Sequence, residues 1–368
     1  MQRLPGLDLL RAIAIVWVML FHSYIVGGLG PDYSWLSRYG WMGVDLFFVL
    51  SGFLIGGQVL KPLAQGRSFG VGEFYLRRAL RILPAYFVVL AIYAWLPGWR
   101  ESPGMQPWWQ FATFSMNLLI DYEHNKAFSH AWSLCVEEHF YLVFPLLAWC
   151  LMRRPAQWKF MATCTAIVLG GIALRSWIIV TAGDDYGFVE DLYYPTWNRL
   201  DGLLAGVVLA TIQVFRPATW ARLQAKANLA MLAGLAIVAG AFWMFSDRVG
   251  LLGNSLGWPV LSLGLALLVL AGSSTRSWIG RWRLPAAGWL AATSFSLYLS
   301  HKLAFHGVDA AFGEQMEGQG VAAFAVFAVV TLAVGAVLHY AVERPFLQWR
   351  QRLLARRILR TRVIPEAI

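Results

Sequence analysis

Ten long apolar runs decide what this chain can fold into. A bilayer core is crossed by about 20 helical residues, and a water-soluble fold has no use for so many runs of that length. The runs fall near 7–27, 41–60, 81–97, 138–153, 160–181, 200–215, 229–246, 252–271, 289–308 and 321–342. Composition agrees: 58% of the 368 residues are hydrophobic and 14% are charged, about half the charge of a soluble domain. That balance excludes disorder, polar repeat solenoids and ordinary cytosolic enzymes. The sequence predicts an all-α, polytopic membrane protein of about ten transmembrane helices. The first run carries Asp8 and Arg11, lacks a small-residue cleavage site and is followed by a second span, so it is expected to stay in the mature protein. Cys135, Cys150 and Cys164 lie in or beside apolar runs, a pattern that indicates neither a disulfide framework nor a zinc ligand set.

Ten crossings would bring both termini to one side and sort the loops into two sets. One set, with both tails, holds Arg3, Lys61, Arg67, Arg77, Arg78, Arg81, Arg153, Arg154, Lys159 and others up to the seven arginines from Arg344 to Arg362, 22 basic groups in all. The other holds only Arg38, Arg100, Lys126, Arg199 and Arg248, with most of the acids, from Asp32 to Glu317. The positive-inside rule then puts both termini in the cytoplasm. The net charge of +10 follows from this topology and from contact with anionic membrane lipids, and nucleic acid is not an expected partner. Residues 1–345 read as the membrane-embedded domain and 346–368 as a basic cytoplasmic tail. Within that tail, Arg350 to Arg362 alternate with Leu353, Leu354, Ile358 and Leu359 like a helix lying on the membrane surface. The longest outer connection, 98–137, contains Phe111 to Ile120, which reads as a short re-entrant or interfacial helix.

Ionisable groups inside apolar spans are costly and ask for a partner, a wet cavity or a function. In the first span Asp8, Arg11 and His22 are 3 and 11 residues apart. At about 100° per residue the longer step closes three turns to within about 20°, so the three share one face. His22 then stands roughly 16 Å above Arg11, in the outer half of the membrane. Asp45, near the outer end of the second span, lies at a similar depth and is a candidate partner. Glu137 and Glu138 open the fourth span from the outer side. Consecutive residues diverge by about 100°, so at most one should face a given site, and Glu137 is preferred. Arg199 and Asp201 begin the sixth span, where an ion pair and a substrate role are both open. His301, mid-span in the ninth, is either a pocket group or a core histidine bonded to a backbone carbonyl, while His124 and His130 are expected to be solvated in the outer loop. Asp8 and Arg11 can equally form a structural bridge. At the basic end, Arg78 and Arg81 share a face at i, i+3 beside Arg77 and suit a phosphate-bearing cofactor. No His-x-x-Glu-His or clustered Cys/His spacing supports a metal.

Together these residues resemble the membrane-bound acyltransferase-3 family, bacterial integral-membrane O-acyltransferases that move acyl groups, usually acetyl, from coenzyme A to hydroxyls of extracytoplasmic sugars. The likeness runs over nearly the whole chain. It rests on Leu7-Asp8-Leu9-Leu10-Arg11 with His22, on residues 43–53, on Arg78-x-x-Arg81 with Pro84 and Tyr86, and on the block 132–141. Arg199-Leu200-Asp201-Gly202, Ser296 to His301 and Glu343-Arg344-Pro345 add to it. Two positions depart from the family pattern: Cys135 stands where Ser is usual and His139 where Gln is usual. Some members carry a C-terminal esterase-like domain, which is not expected here.

The resemblance implies an acyltransferase of the bacterial inner membrane that takes an acyl group, acetyl by expectation, from cytoplasmic acyl-CoA and passes it to a carbohydrate or lipid-linked glycan, with no metal. It assigns the nucleotide phosphates to Arg78 and Arg81 with Arg77 assisting, the passage to Arg11, and the general base to His22, held in its tautomer by Glu137 or Asp45. Asp8, Glu138, Arg199, Asp201 and His301 are expected to support the substrates. The competing expectation is a transporter or flippase of lipid-linked sugars, which would need neither a phosphate-binding pair at the inner mouth nor a base at the outer one.

Overall fold

A computed structural model of the chain describes residues 4–25, 34–67, 69–152, 157–316 and 319–362. Arg3, Asp32, Arg153, Arg154 and Glu317, all part of the charge comparison, lie outside the described residues. The described residues are almost entirely helical, and each of the ten apolar runs falls on a long helix. These are α1 (Pro5–Ile25), α2 (Met42–Ala64), α3 (Val71–Trp95), α4 (Trp132–Met152), α5 (Gln157–Ala182), α6 (Asp201–Phe215), α7 (Ala227–Met244), α8 (Trp258–Gly272), α9 (Pro285–Met316) and α10 (Val321–Leu338). An eleventh, α11 (Arg344–Arg362), follows α10 through a π-turn at His339–Glu343.

Among the described residues, eight helices are long and apolar enough to cross a membrane, and a ninth is added if α6 is joined to the short helix Pro217–Ala225, from which it is bent by 113°. The remaining predicted span, α9, is long enough but less apolar, because Thr293, Ser294, Ser296, Ser300, His301 and Lys302 occupy its buried face. A helix whose polar side chains face the protein interior looks weak to any measure of hydropathy and is still placed by packing.

The helix starts differ most from expectation. α3 begins ten residues before the apolar run, so Arg77, Arg78 and Arg81 ride on its first turns instead of preceding it. α4 likewise begins at Trp132, which puts Glu137 and Glu138 inside the helix. In both cases charged residues a turn or more inside the helix interrupt the apolar count and hide its start. The expected helix at Phe111 to Ile120 is cut short: helix covers Trp108–Ala112 only, and Phe114 takes a left-handed φ of 56° that no continuing helix allows.

The core is organised by α2, which is buried along most of its length and packs most extensively on α6. Gly52 and Gly56 on α2 meet α6 near Leu203 and Ala210, while Gly202 and Gly206 on α6 meet α2 near Phe48 and Val49. Both glycine pairs are four residues apart, the small-residue spacing that lets helix backbones touch where lipid supplies no hydrophobic drive. Where α10 turns into α11, the Glu343 carboxylate is buried and accepts hydrogen bonds from Ser296 Oγ (2.7 Å) and His339 Nδ1 (2.9 Å). This ties α9 to the turn from which α11 departs.

Candidate active site

A cavity of about 370 Å³ opens at the end of the bundle where α3 starts. Arg77, Arg78, Arg81 and Arg350 stand at its mouth, Arg11, Gln58, Glu137, Glu138 and Tyr141 line its walls, and Ser133 and Tyr298 mark its inner end. The helical periodicity of α3 puts Arg78 and Arg81 on one face, and that face looks inward. The Arg78 guanidinium lies 4.2 Å from the centre of the Tyr141 ring, a cation–π contact. Arg77 is held by Glu73 one turn earlier. Both glutamates of α4 line the cavity, contrary to the expectation that at most one would face a given site. Glu137 accepts from Ser51 Oγ (3.1 Å) and from the Tyr141 hydroxyl. Asp8 lies 3.9 Å from Arg11 and lines a second crevice beside Trp282 and Pro285.

Beyond Tyr298 the next turn of α9 brings three imidazoles together. His301 Nε2 is 2.8 Å from His22 Nδ1, and His130 packs against both rings. The proton positions follow from the partners. His301 Nδ1 faces only carbonyl oxygens, of Tyr298 at 2.8 Å and Leu297 at 3.2 Å, so it carries the hydrogen. In a neutral ring its Nε2 is then an acceptor, and His22 Nδ1 must donate to it. That leaves His22 Nε2 with the ring's lone pair and, among the described residues, no hydrogen-bond partner, the form a general base requires.

This corrects the expected orientation of His22 by a carboxylate. Asp45 is instead spent on Arg199, at 2.8 Å and buried, and Glu137 on Ser51 and Tyr141. Arg199 and Asp201 do not pair with each other: Asp201 binds Arg175 at 2.9 Å, and the Arg199 guanidinium sits 3.5 Å from the Trp258 ring centre and 4.7 Å from that of Tyr193. His130, expected to be solvated, is 1% exposed, whereas His124 is exposed and pairs with Asp121 at 2.9 Å. The neighbouring carboxylate raises the His124 pKa above the usual imidazole value. His139 shares a 2.7 Å hydrogen bond with Thr196 and stays out of the site.

The family of acyltransferase domains known as acyltransferase-3 matches residues 4–340. The chain belongs to the acyltransferase-3 family. It is similar to the O-acetyltransferase OatA of Staphylococcus aureus (strain NCTC 8325), 26% identical over 319 residues that cover 81% of this chain and 50% of that one. It is also similar to SACOL0978 of strain COL, named provisionally as an O-acetyltransferase, 26% identical with 95% of this chain and 59% of the relative covered. The chain thus spans about half the length of the curated relatives it matches. No solved structure matches it.

Within this acyltransferase-3 chain, sequence reasoning missed four contributors. Arg175, fully buried, donates to Asp201, to the Asn198 carbonyl (2.8 Å) and to the Asn254 carbonyl (2.7 Å), locking α5 to α6 and to the start of α8. It is a lone arginine in the middle of an apolar run, and that cost alone pointed to a partner. Lys302 is similar: it donates to Ser129 Oγ at 3.0 Å and lies 3.5 Å from Glu101. Arg350 was hidden among tail arginines, and no local signal separates it from them. Tyr298, whose hydroxyl donates to the His130 carbonyl (2.8 Å) and receives Ser133 Oγ (2.5 Å), belongs to a matched motif but carried no assigned role.

Proposed function

We propose that the chain transfers an acyl group, acetyl by preference, from acyl-CoA to a hydroxyl of a carbohydrate or lipid-linked glycan across the bacterial inner membrane. On this reading both termini are cytoplasmic and the arginine-lined mouth receives the donor. Arg78 and Arg81 hold the diphosphate, Arg77 assists, and Arg11 lines the passage for the pantetheine arm. The observation that carries the reading is a cationic cavity and, one helical turn past its inner end on α9, an imidazole pair that leaves the His22 Nε2 lone pair unclaimed among the described residues.

In this mechanism Tyr298 and Ser133 must part to admit the thioester, since together they close the cavity below the imidazoles. His22 Nε2 takes the proton of the acceptor hydroxyl as its oxygen attacks the thioester carbonyl. The new C–O ester bond forms, the C–S bond breaks, and the thiolate recovers a proton to leave as free coenzyme A. His301 Nε2, accepting from His22 Nδ1, fixes the tautomer and spreads the positive charge that develops, the part a carboxylate plays in hydrolase triads. The names of the relatives favour acetyl as the group carried. Purified protein given labelled acetyl-CoA and a glycan acceptor should move label to the glycan and release free thiol. Thiol release that is absent, or unaffected by loss of His22, contradicts the reading and favours a carrier of lipid-linked sugars.

A further inference from the structure

We propose that α11 builds a phosphate subsite onto the donor cavity, and that Arg350 binds the phosphomonoester on the ribose of a coenzyme A-type donor. This rests on the acyl-CoA reading above and deepens it. Arg350 lines the cavity mouth with Arg77, Arg78 and Arg81, although α11 lies beyond residue 340, where the family match ends. Its Nη1 donates to the Arg77 backbone carbonyl at 3.4 Å, a long bond that leaves the rest of the guanidinium fork for another acceptor. The four mouth arginines are only partly balanced from within, by Glu73 beside Arg77 and by Glu137 and Glu138 on the cavity wall. Arg77 is engaged by Glu73 and Arg78 by the Tyr141 face, while among the described residues no carboxylate lies at ion-pair distance from Arg81 or Arg350. Converged like charges repel, and a fold keeps such a cluster when a polyanion fills it.

Depth assigns the charges. α3 enters from this end, so Arg77 is outermost, Arg81 lies one turn further in, and Ser133 and Tyr298 close the inner end. A donor whose thioester points inward puts its diphosphate beside Arg78 and Arg81. The separate phosphate on its ribose is then left at the rim, beside Arg350. A planar guanidinium fork matches a terminal phosphate, which offers oxygens for two parallel hydrogen bonds. The buried Glu343 carboxylate, held by Ser296 and His339, sets where α11 leaves the bundle and therefore where Arg350 arrives.

The test uses the full chain in nanodiscs and compares acetyl-CoA with acetyl-3′-dephospho-CoA. Wild-type protein should show a KM about 10- to 100-fold higher for the dephospho donor, the range expected for one charge-assisted contact. Arg350→Gln should raise KM for acetyl-CoA by the same factor at unchanged kcat, leave the dephospho donor unaffected, and so erase the preference. Arg352→Gln, on an exposed position of the same helix, should change neither. Adenosine 3′,5′-bisphosphate binding, read by calorimetry without turnover, should weaken in Arg350→Gln alone. If Arg350→Gln keeps the wild-type preference, or loses both donors equally, the subsite is overturned and the donor reading stands. If the wild-type chain binds no acetyl-CoA, both fall together.

Discussion

His22 presents a basic nitrogen only because His301 spends its own Nδ1 hydrogen on the Tyr298 carbonyl, so the two residues should fail differently when replaced. His22→Ala removes the base and should lower acyl transfer by about 10²- to 10⁴-fold while the protein still inserts and binds donor. His301→Ala should lower kcat by about 10-fold or more at unchanged donor KM, because the His22 ring then loses its fixed tautomer. His301→Gln keeps an acceptor oxygen and should recover part of that loss. Equal losses in the Ala and Gln variants, measured as thiol release with acceptor saturating, would reduce His301 to a packing residue. His22, Arg78 and Arg81 were legible in the sequence because each is polar in a place where polarity is costly and each has a fixed helical offset to another such residue. The partner of His22 was not legible: a hydrogen bond between residues 22 and 301 depends on how α1 and α9 rotate against each other, and periodicity within either helix is silent on that. The same limit hid the exchange of partners by which Asp45 takes Arg199 and Asp201 takes Arg175.

The ten long helices were legible as apolar runs, but their joints were not, because backbone approach depends on glycine positions that hydropathy cannot rank. A methyl group at Gly52 would sit 2.0 Å from the Leu203 carbonyl, and one at Gly206 would sit 2.2 Å from that of Val49. Neither backbone can retreat without pulling α2 off α6. Gly52→Ala should therefore cost about 1–3 kcal/mol or more and lower the thermal midpoint in detergent. Gly240 on α7 has open space where its methyl would go, so Gly240→Ala should be neutral or gain up to about 1 kcal/mol through helix propensity. Similar shifts for the two variants would mean that the α2–α6 contact is not the tight joint described here. The starts of α3 and α4 went unread for a related reason. Just past their first turns they carry arginines and glutamates that face a cavity, and side chains of that kind resemble loop residues until the cavity is known.

Across the whole molecule the proposed chemistry needs the cationic mouth and the imidazole cluster to face opposite compartments. The end that holds Arg77, Arg78, Arg81 and Arg350 opens into the cavity proposed to take the donor, and coenzyme A is held in the cytoplasm, so that end must face inward for the reading to work. With those four arginines set aside, 18 of the 22 basic groups still lie in the same loop set against five in the other, so the charge asymmetry argues for the same orientation. A labelling experiment decides it. With Cys135, Cys150 and Cys164 replaced by serine or alanine, a single cysteine at exposed Glu123, on the connection between α3 and α4, should react with an impermeant maleimide in intact cells. A single cysteine at exposed Gln65, between α2 and α3, should react only after the inner membrane is opened. Reversed labelling would turn the arginine cavity outward, away from any supply of acyl-CoA. His22 would then sit on the side without glycan acceptors, and donor and base assignments would fail together even if every distance within the site were right.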